Sequence, residues 1–191
     1  MRLFVAAELS DEVRAVIAHG LGPLRRDLPP ARWVRPEAMH VTLKFMGEQP
    51  PELVTALDRE AGRALAACEP VTIQLGGGGF FPHERRPRVA WVGGQALGLE
   101  RWAAAVENAA AGLGVAREVR AFSLHLTLAR IERPWGAPAV EHFRVAVDKW
   151  RFPAILAREA VLFASELRPS SAVYTPLARW PVTQRGETTD A

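Results

Sequence analysis

The chain predicts an α+β fold of two similar lobes related by a pseudo-twofold axis, and three observations carry that prediction. A short phrase occurs twice, His40-Val41-Thr42-Leu43 and His125-Leu126-Thr127-Leu128, each inside a run with strand character, Met39 to Phe45 and Phe122 to Ala129. Each copy has a similar escort of helical and extended segments. Hairpin-like links join several strands, which favours antiparallel pairing over a doubly wound parallel sheet. A cleft between two such lobes is the natural place for a site.

Arg2 to Glu8 reads as the first strand, followed by Ser10, a good helix N-cap with Asp11 and Glu12 in the first turn. A helix then runs to about Arg26, with Val13, Val16, Ile17 and Leu24 on its apolar side and Gly20, Gly22 and Pro23 as candidate early breaks. Arg32 to Arg35 is a short strand before the first His-x-Thr strand. Gly47 to Pro51 forms a turn, and Pro51 is placed to start a second helix carrying Leu53, Leu57, Ala61, Ala64, Leu65 and Cys68 at helical spacing. Val71 to Leu75 alternates as a strand with one wet face. The glycine run Gly76 to Gly79 lacks the GK[ST] ending of a phosphate-cradling loop and reads as a bent connection.

Arg88 to Val92 is a strand closed by Gly93-Gly94, and Leu97 to Leu113 is an Ala-rich helix ended by Gly114. After the second His-x-Thr strand, Pro134 to Pro138 is a loop and Ala139 to Val147 a short helix or irregular segment. Phe152 to Arg158, Ala160 to Glu166 and Ala172 to Trp180 read as strands, the last two joined through Arg168-Pro169-Ser170-Ser171. Residues 1–191 are expected to form one bilobal domain, with a polar, flexible tail over 184–191.

The 49% hydrophobic and 24% charged content is that of a globular chain. No apolar run has the ~20 residues of a spanning helix, and the N-terminus lacks a signal-peptide layout, so the default expectation is a cytoplasmic protein without a membrane partner. One cysteine, Cys68, leaves no internal disulfide. The net charge is +3, yet the only lysines are Lys44 and Lys149. Arginine suits phosphate recognition, but codon bias in a GC-rich genome explains the same surplus, so charge decides nothing.

The repeated phrase carries the chemistry. On a strand, residues i and i+2 share a face, so each imidazole projects with a threonine hydroxyl while Val41, Leu43, Leu126 and Leu128 point into a core. Two imidazoles across one phosphorus divide proton transfer: one takes a proton from water, the other gives a proton to the leaving oxygen. The hydroxyls of Thr42 and Thr127, and a nearby arginine, would donate to phosphate oxygens. A strained cyclic phosphodiester suits this arrangement. No HExxH pattern or carboxylate partner accompanies either histidine, so neither a metal nor a cofactor is expected. A single His-x-Thr is commonplace; two copies on apolar strands, each with Leu after the Thr, are not. His19, His83 and His142 read as surface or loop residues, and Ser123 lacks the context of a serine nucleophile.

On these residues the chain resembles the 2H phosphoesterases, named for paired His-x-Thr/Ser motifs, and within them the RNA 2′,3′-cyclic phosphodiesterases, also called 2′-5′ RNA ligases. The resemblance runs from Arg2-Leu3-Phe4-Val5-Ala6 through Trp33-Val34-Arg35-Pro36-Glu37, both motifs with Lys44-Phe45 and Ala129-Arg130, Pro87-Arg88-Val89-Ala90-Trp91-Val92, Ser165-Glu166-Leu167 and Tyr174-Thr175-Pro176-Leu177. It implies a bilobal 2H phosphoesterase-like fold with two antiparallel sheets lining a central cleft and helices outside. It implies hydrolysis of terminal RNA 2′,3′-cyclic phosphates to 2′-phosphates; the chain is expected to act as a monomer. His40 would be the proton donor and His125 the proton acceptor, with Thr42, Thr127 and Arg130 on the phosphate and Phe4 a candidate substrate contact. Leu124 departs from the proline that the family often carries before the second histidine, which concerns the entry into that strand. The alternatives are a 2H enzyme acting on another small cyclic phosphodiester and a non-catalytic RNA-end binding module; 2′-5′ ligation is an expected side reaction in vitro.

Overall fold

Strand β1 (Arg2–Glu8) is buried along both faces, which places it at the centre of the architecture. Leu3, Val5 and Ala7 enter the main core, whereas Phe4 and Ala6 join a separate cluster with Val161 and Phe163 on the opposite face. It pairs antiparallel with β3 (His40–Glu48) on one side and β8 (Glu159–Leu167) on the other. With β9 (Ala172–Pro181) outermost, the order of this four-stranded sheet is β3-β1-β8-β9. A second sheet of five strands runs β2 (Arg32–Trp33), β6 (Leu126–Arg130), β5 (Val89–Gln95), β4 (Val71–Phe81) and β7 (Ile155–Ala157). Every pairing in both sheets is antiparallel. The computed structural model describes residues 1–167 and 172–182. The expected Arg168–Ser171 link and the 184–191 tail lie outside the described residues.

Helices α1 (Asp11–Asp27), α2 (Leu53–Leu65), α3 (Leu99–Gly112) and α4 (Ala137–Asp148) complete the α+β architecture expected from sequence. Their packing crosses the duplication. Helix α3, from the second half of the chain, packs against α2 and β3, while α1, from the first half, packs against α4, which backs β4. None of the helices among the described residues is long and apolar enough to cross a membrane.

The glycine run is not a bent connection. Gly76 to Gly79 continue β4, and the irregularity is confined to a register shift between Leu75 and Gly78 where Gly77 takes φ +73°. Its purpose is spatial. Gly79 pairs with Trp91, whose indole lies flat where a Cβ on Gly79 would be, and a Cβ on Gly93 would stand 2.9 Å from the same ring. The Gly93-Gly94 pair therefore also stays within its strand. Similarly, α1 runs unbroken through Gly20 and Pro23 to Asp27. The stripe Val13, Ile17, Leu21 and Leu24 is wholly buried, and Gly20 admits the Trp150 indole against the helix backbone. Tertiary packing outweighs the local cost of glycine and proline in both places. The segment from Ala137 to Asp148 is helical, with Pro138 in its first turn. The strand predicted over Phe152 to Arg158 narrows to Ile155–Ala157, the stretch that pairs with β4.

Replacing Gly79 by valine should force the Trp91 ring from its seat. A loss of about 1–3 kcal/mol is expected, read as a lowered urea midpoint at unchanged slope.

Candidate active site

Both motif strands share one irregularity, and it aims the site. In β3, Ala6 pairs with Thr42 and Val5 with Lys44, so Leu43 is an unpaired bulge residue. In β6, Trp91 pairs with Thr127 and Ala90 with Ala129, so Leu128 is the bulge residue. An inserted residue resets the alternation of faces. His40 and Thr42 point into the cleft, Lys44 turns to the core, and Phe45 returns to the cleft face beside Phe4. On the other strand, Thr127 faces the cleft, Ala129 is buried, and Arg130 returns to the cleft. Plain alternation would have kept Lys44 beside Thr42, and the bulge makes it a core residue instead.

The cleft between the sheets has a volume of about 540 Å³ and is lined by His40, Thr42, His125, Thr127 and Arg130, together with Arg120, Ser123 and Tyr174. All four His and Thr residues of the repeated phrase thus face one space. His125 precedes the hydrogen-bonded part of its strand: β6 begins at Leu126, where pairing with β5 ends at Val92, so the predicted start at Phe122 is four residues too early.

The two imidazoles are held alike. The ring Nδ1 of His40 stands 3.1 Å from the carbonyl oxygen of Ala38, and that of His125 stands 2.8 Å from the carbonyl oxygen of Ser123. A carbonyl only accepts, so each Nδ1 carries the hydrogen and each Nε2 is the nitrogen free to accept or donate a proton. The carbonyl two residues back is the same device in both lobes. Ser123, rejected as a nucleophile, contributes through its backbone.

Their surroundings differ. His40 stacks on Phe4 with centroids 4.5 Å apart and planes at 24°, and Tyr174 meets it edge-on at 5.2 Å. Phe4 stacks in turn on Phe163 at 5.2 Å. Burial pushes the His40 imidazole down to about 4; the Ala38 carbonyl opposes that shift, while the charges of Arg14 and His125 add to it. Arg14, on α1, donates to the carbonyls of Pro36 and Met39 and so braces the turn that delivers His40. Among the described residues the one aromatic ring against His125 is that of Phe81, nearly perpendicular at 5.0 Å. Phe4, the candidate substrate contact, borders the cavity but is 3% exposed and packs against both His40 and Phe163, whose own centroids lie 6.4 Å apart. It is a backing for the imidazole.

Sequence reasoning passed over Lys44. It is the one charged residue buried among the described residues, and its ammonium donates to Glu107 on α3 at 2.8 Å and to the Ala116 carbonyl at 3.1 Å. Glu107 also accepts the Glu118 backbone N–H at 3.2 Å. One ion pair therefore ties the first motif strand to the segment that leads into the second motif. Its only sequence signal is a lysine in an otherwise arginine-rich chain. His19, His83 and His142 do not line the cleft. Among the described residues no group of three or more His, Cys, Asp or Glu side chains converges as metal ligands.

The LigT-like phosphoesterase family matches the chain twice in tandem, over residues 11–91 and 94–174. The chain belongs to that family. Each matched stretch carries one copy of the repeated His-x-Thr phrase. An RNA 2′,3′-cyclic phosphodiesterase of Thermus thermophilus is 34% identical over 98% of this chain and 92% of its own length. Its Escherichia coli counterpart is 31% identical over 96% and 97%. A relative of the same description from Geobacillus stearothermophilus, 28% identical, is longer, and this chain spans 56% of it. The crystal structure of TT0787 of Thermus thermophilus superposes with a TM-score of 0.76 at 30% identity, covering 95% of this chain and 97% of that one. Escherichia coli LigT complexed with 3′-AMP superposes with 0.72 at 30% identity, covering 96% and 98%.

Lys44→Ala removes one partner of a buried pair and should cost about 3 kcal/mol in denaturant unfolding. The double variant Lys44→Met/Glu107→Leu removes both charges and should recover most of that loss, which a double-mutant cycle measures directly.

Proposed function

We propose that this cleft hydrolyses terminal RNA 2′,3′-cyclic phosphodiesters to 2′-phosphomonoesters, with His40 as general acid and His125 as general base. The observation that carries the reading is the matched pair of imidazoles, each with Nδ1 tied to a carbonyl and Nε2 left for the substrate. Supporting it are the relatives described as RNA 2′,3′-cyclic phosphodiesterases. Thr42 and Thr127 donate to the non-bridging oxygens, and Arg130 adds a fixed positive charge at the rim of the same cavity.

The neutral Nε2 of His125 takes a proton from water as its oxygen attacks phosphorus in line with the 3′-oxygen. The P–O3′ bond breaks, and the Nε2–H of His40 gives its proton to that oxygen. The product carries a 2′-phosphate and a 3′-hydroxyl. His125 leaves the step protonated and His40 neutral, and exchange with solvent restores both. A ribose 5′-hydroxyl in place of water would form a 2′-5′ phosphodiester by the same transfers.

Taken alone, the low pKa of His40 favours the exchanged roles, with His40 as base and a 3′-phosphate as product. Anionic phosphate reverses that preference, because a negative charge between the rings stabilises an imidazolium that burial disfavours. Once charged, the imidazole is a strong donor for the leaving oxygen. RNA ending in a 2′,3′-cyclic phosphate, incubated with the protein and resolved by product isomer, separates the two directions: a 2′-phosphate supports the proposed one and a 3′-phosphate refutes it.

His40→Ala and His125→Ala should each lower kcat by about 10²–10⁴-fold with an unchanged circular-dichroism spectrum. Arg130→Ala should reduce kcat/KM by a factor of about ten or more.

The titration of His40 also marks stability. Its folded pKa lies below its unfolded value near 6.5, so its contribution is fully present above pH 6.5 and is lost as pH falls toward 4. His40→Gln should flatten that stretch of the stability curve. Inorganic phosphate should raise the pKa of His40 observed by NMR.

A further inference from the structure

Within the proposed RNA-end reading, we propose a second nucleotide subsite formed by Phe45 and Arg2, which stacks the base on the 5′ side of the terminal cyclic phosphate. Phe45 is a large apolar side chain that is 44% exposed, on the cleft face of β3, where the bulge at Leu43 has returned it. It occupies the position equivalent to Arg130 on the other motif strand, three residues after the threonine in both. Along β3, three residues from Thr42 span about 10 Å. A nucleoside joined by one phosphodiester to the reacting ribose covers that distance.

Arg2 completes the platform. Its guanidinium carbon lies 5.3 Å from the centroid of the Phe45 ring, and Arg2 pairs with no carboxylate among the described residues. Aromatic rings and guanidinium planes both accept a stacked base without reading its sequence. The cation over the ring also faces the phosphate that links the two nucleosides. Phe45 and Arg120 border both the catalytic cavity and an adjoining surface groove of about 470 Å³ that continues past Arg117 and Val119. Arg2, Arg117 and Arg120 face this path, against Glu118; Arg117 is held by the Asn108 side chain at 2.9 Å. The balance is positive and suits a polyanionic strand. The cleft thereby distinguishes an oligonucleotide end from a mononucleotide through one stacked base and one linking phosphate.

The test compares a nucleoside 2′,3′-cyclic phosphate with a tetranucleotide bearing the same cyclic terminus. Wild type should show the higher kcat/KM on the tetranucleotide. Phe45→Ala should lower that value by about tenfold, mainly through KM, and leave the mononucleotide within about twofold. Phe45→Trp should retain the preference, and Arg2→Gln should weaken it and flatten its salt dependence. Equal losses on both substrates, or no loss on the tetranucleotide, would overturn the subsite, as would a wild type without preference.

Binding of a fluorescent tetranucleotide ending in a 3′-phosphate supplies a readout that needs no turnover. If wild type hydrolyses neither substrate, the reaction assigned above fails; the subsite then stands if Phe45→Ala weakens this binding and falls if it does not.

Discussion

The unpaired residue that directly follows the threonine in each motif strand determines what the cleft contains. Leu43 and Leu128 each interrupt a ladder immediately after the threonine, so the histidine and threonine before the bulge and the residue three positions after the threonine share the cleft. Without the interruption Lys44 and Ala129 would face the cleft, and Phe45 and Arg130 would be driven into the core. Burying Arg130 there would strand a charge away from water, and turning Lys44 outward would leave Glu107 without its partner. The bulges are therefore held by packing on both sides of the sheets.

Equal geometry does not make the two histidines equal. Each is fixed through Nδ1 by a carbonyl two residues back, yet His40 stands on a stack of Phe4 and Phe163 while, among the described residues, His125 meets the one ring of Phe81. Burial among these rings disfavours the charged form of His40. A symmetric backbone thus carries an asymmetric electrostatic field, and the difference resides in side chains from β1, β8 and β9. Tyr174 follows the same logic: burial pushes its hydroxyl up, so that it stays neutral beside the site.

Much of this was legible from local signals. Ser10 caps α1 by accepting from the Val13 N–H, and Gly114 takes φ +88° just past α3, both as their residue types dictate. The repeated phrase located both histidines and both threonines because the segments around it are apolar and the histidine and threonine stand two residues apart, so that they share a face. The rest depended on contacts between distant segments. Nothing near Gly79 announces the indole of Trp91, nothing near Gly20 announces Trp150, and the rotation of Lys44 follows from its register against β1. The family resemblance offers Phe4 as a candidate substrate contact, and nothing in β1 alone announces that an imidazole packs against it. That imidazole arrives from another strand.

The exchange of segments between lobes has a kinetic consequence. The first sheet takes two neighbours from opposite ends of the chain: β1 pairs with β3, and also with β8, where Arg2 faces Ser165. During synthesis β1 and β3 meet early but expose the edge of β1, together with Phe4 and Ala6, until β8 has emerged from the ribosome. Such sequence-distant pairing raises contact order and slows folding. The aromatic stack beneath His40 is therefore assembled late, and a chain interrupted before Phe163 would hold its first motif on a two-stranded ribbon without the backing that gives that histidine its character.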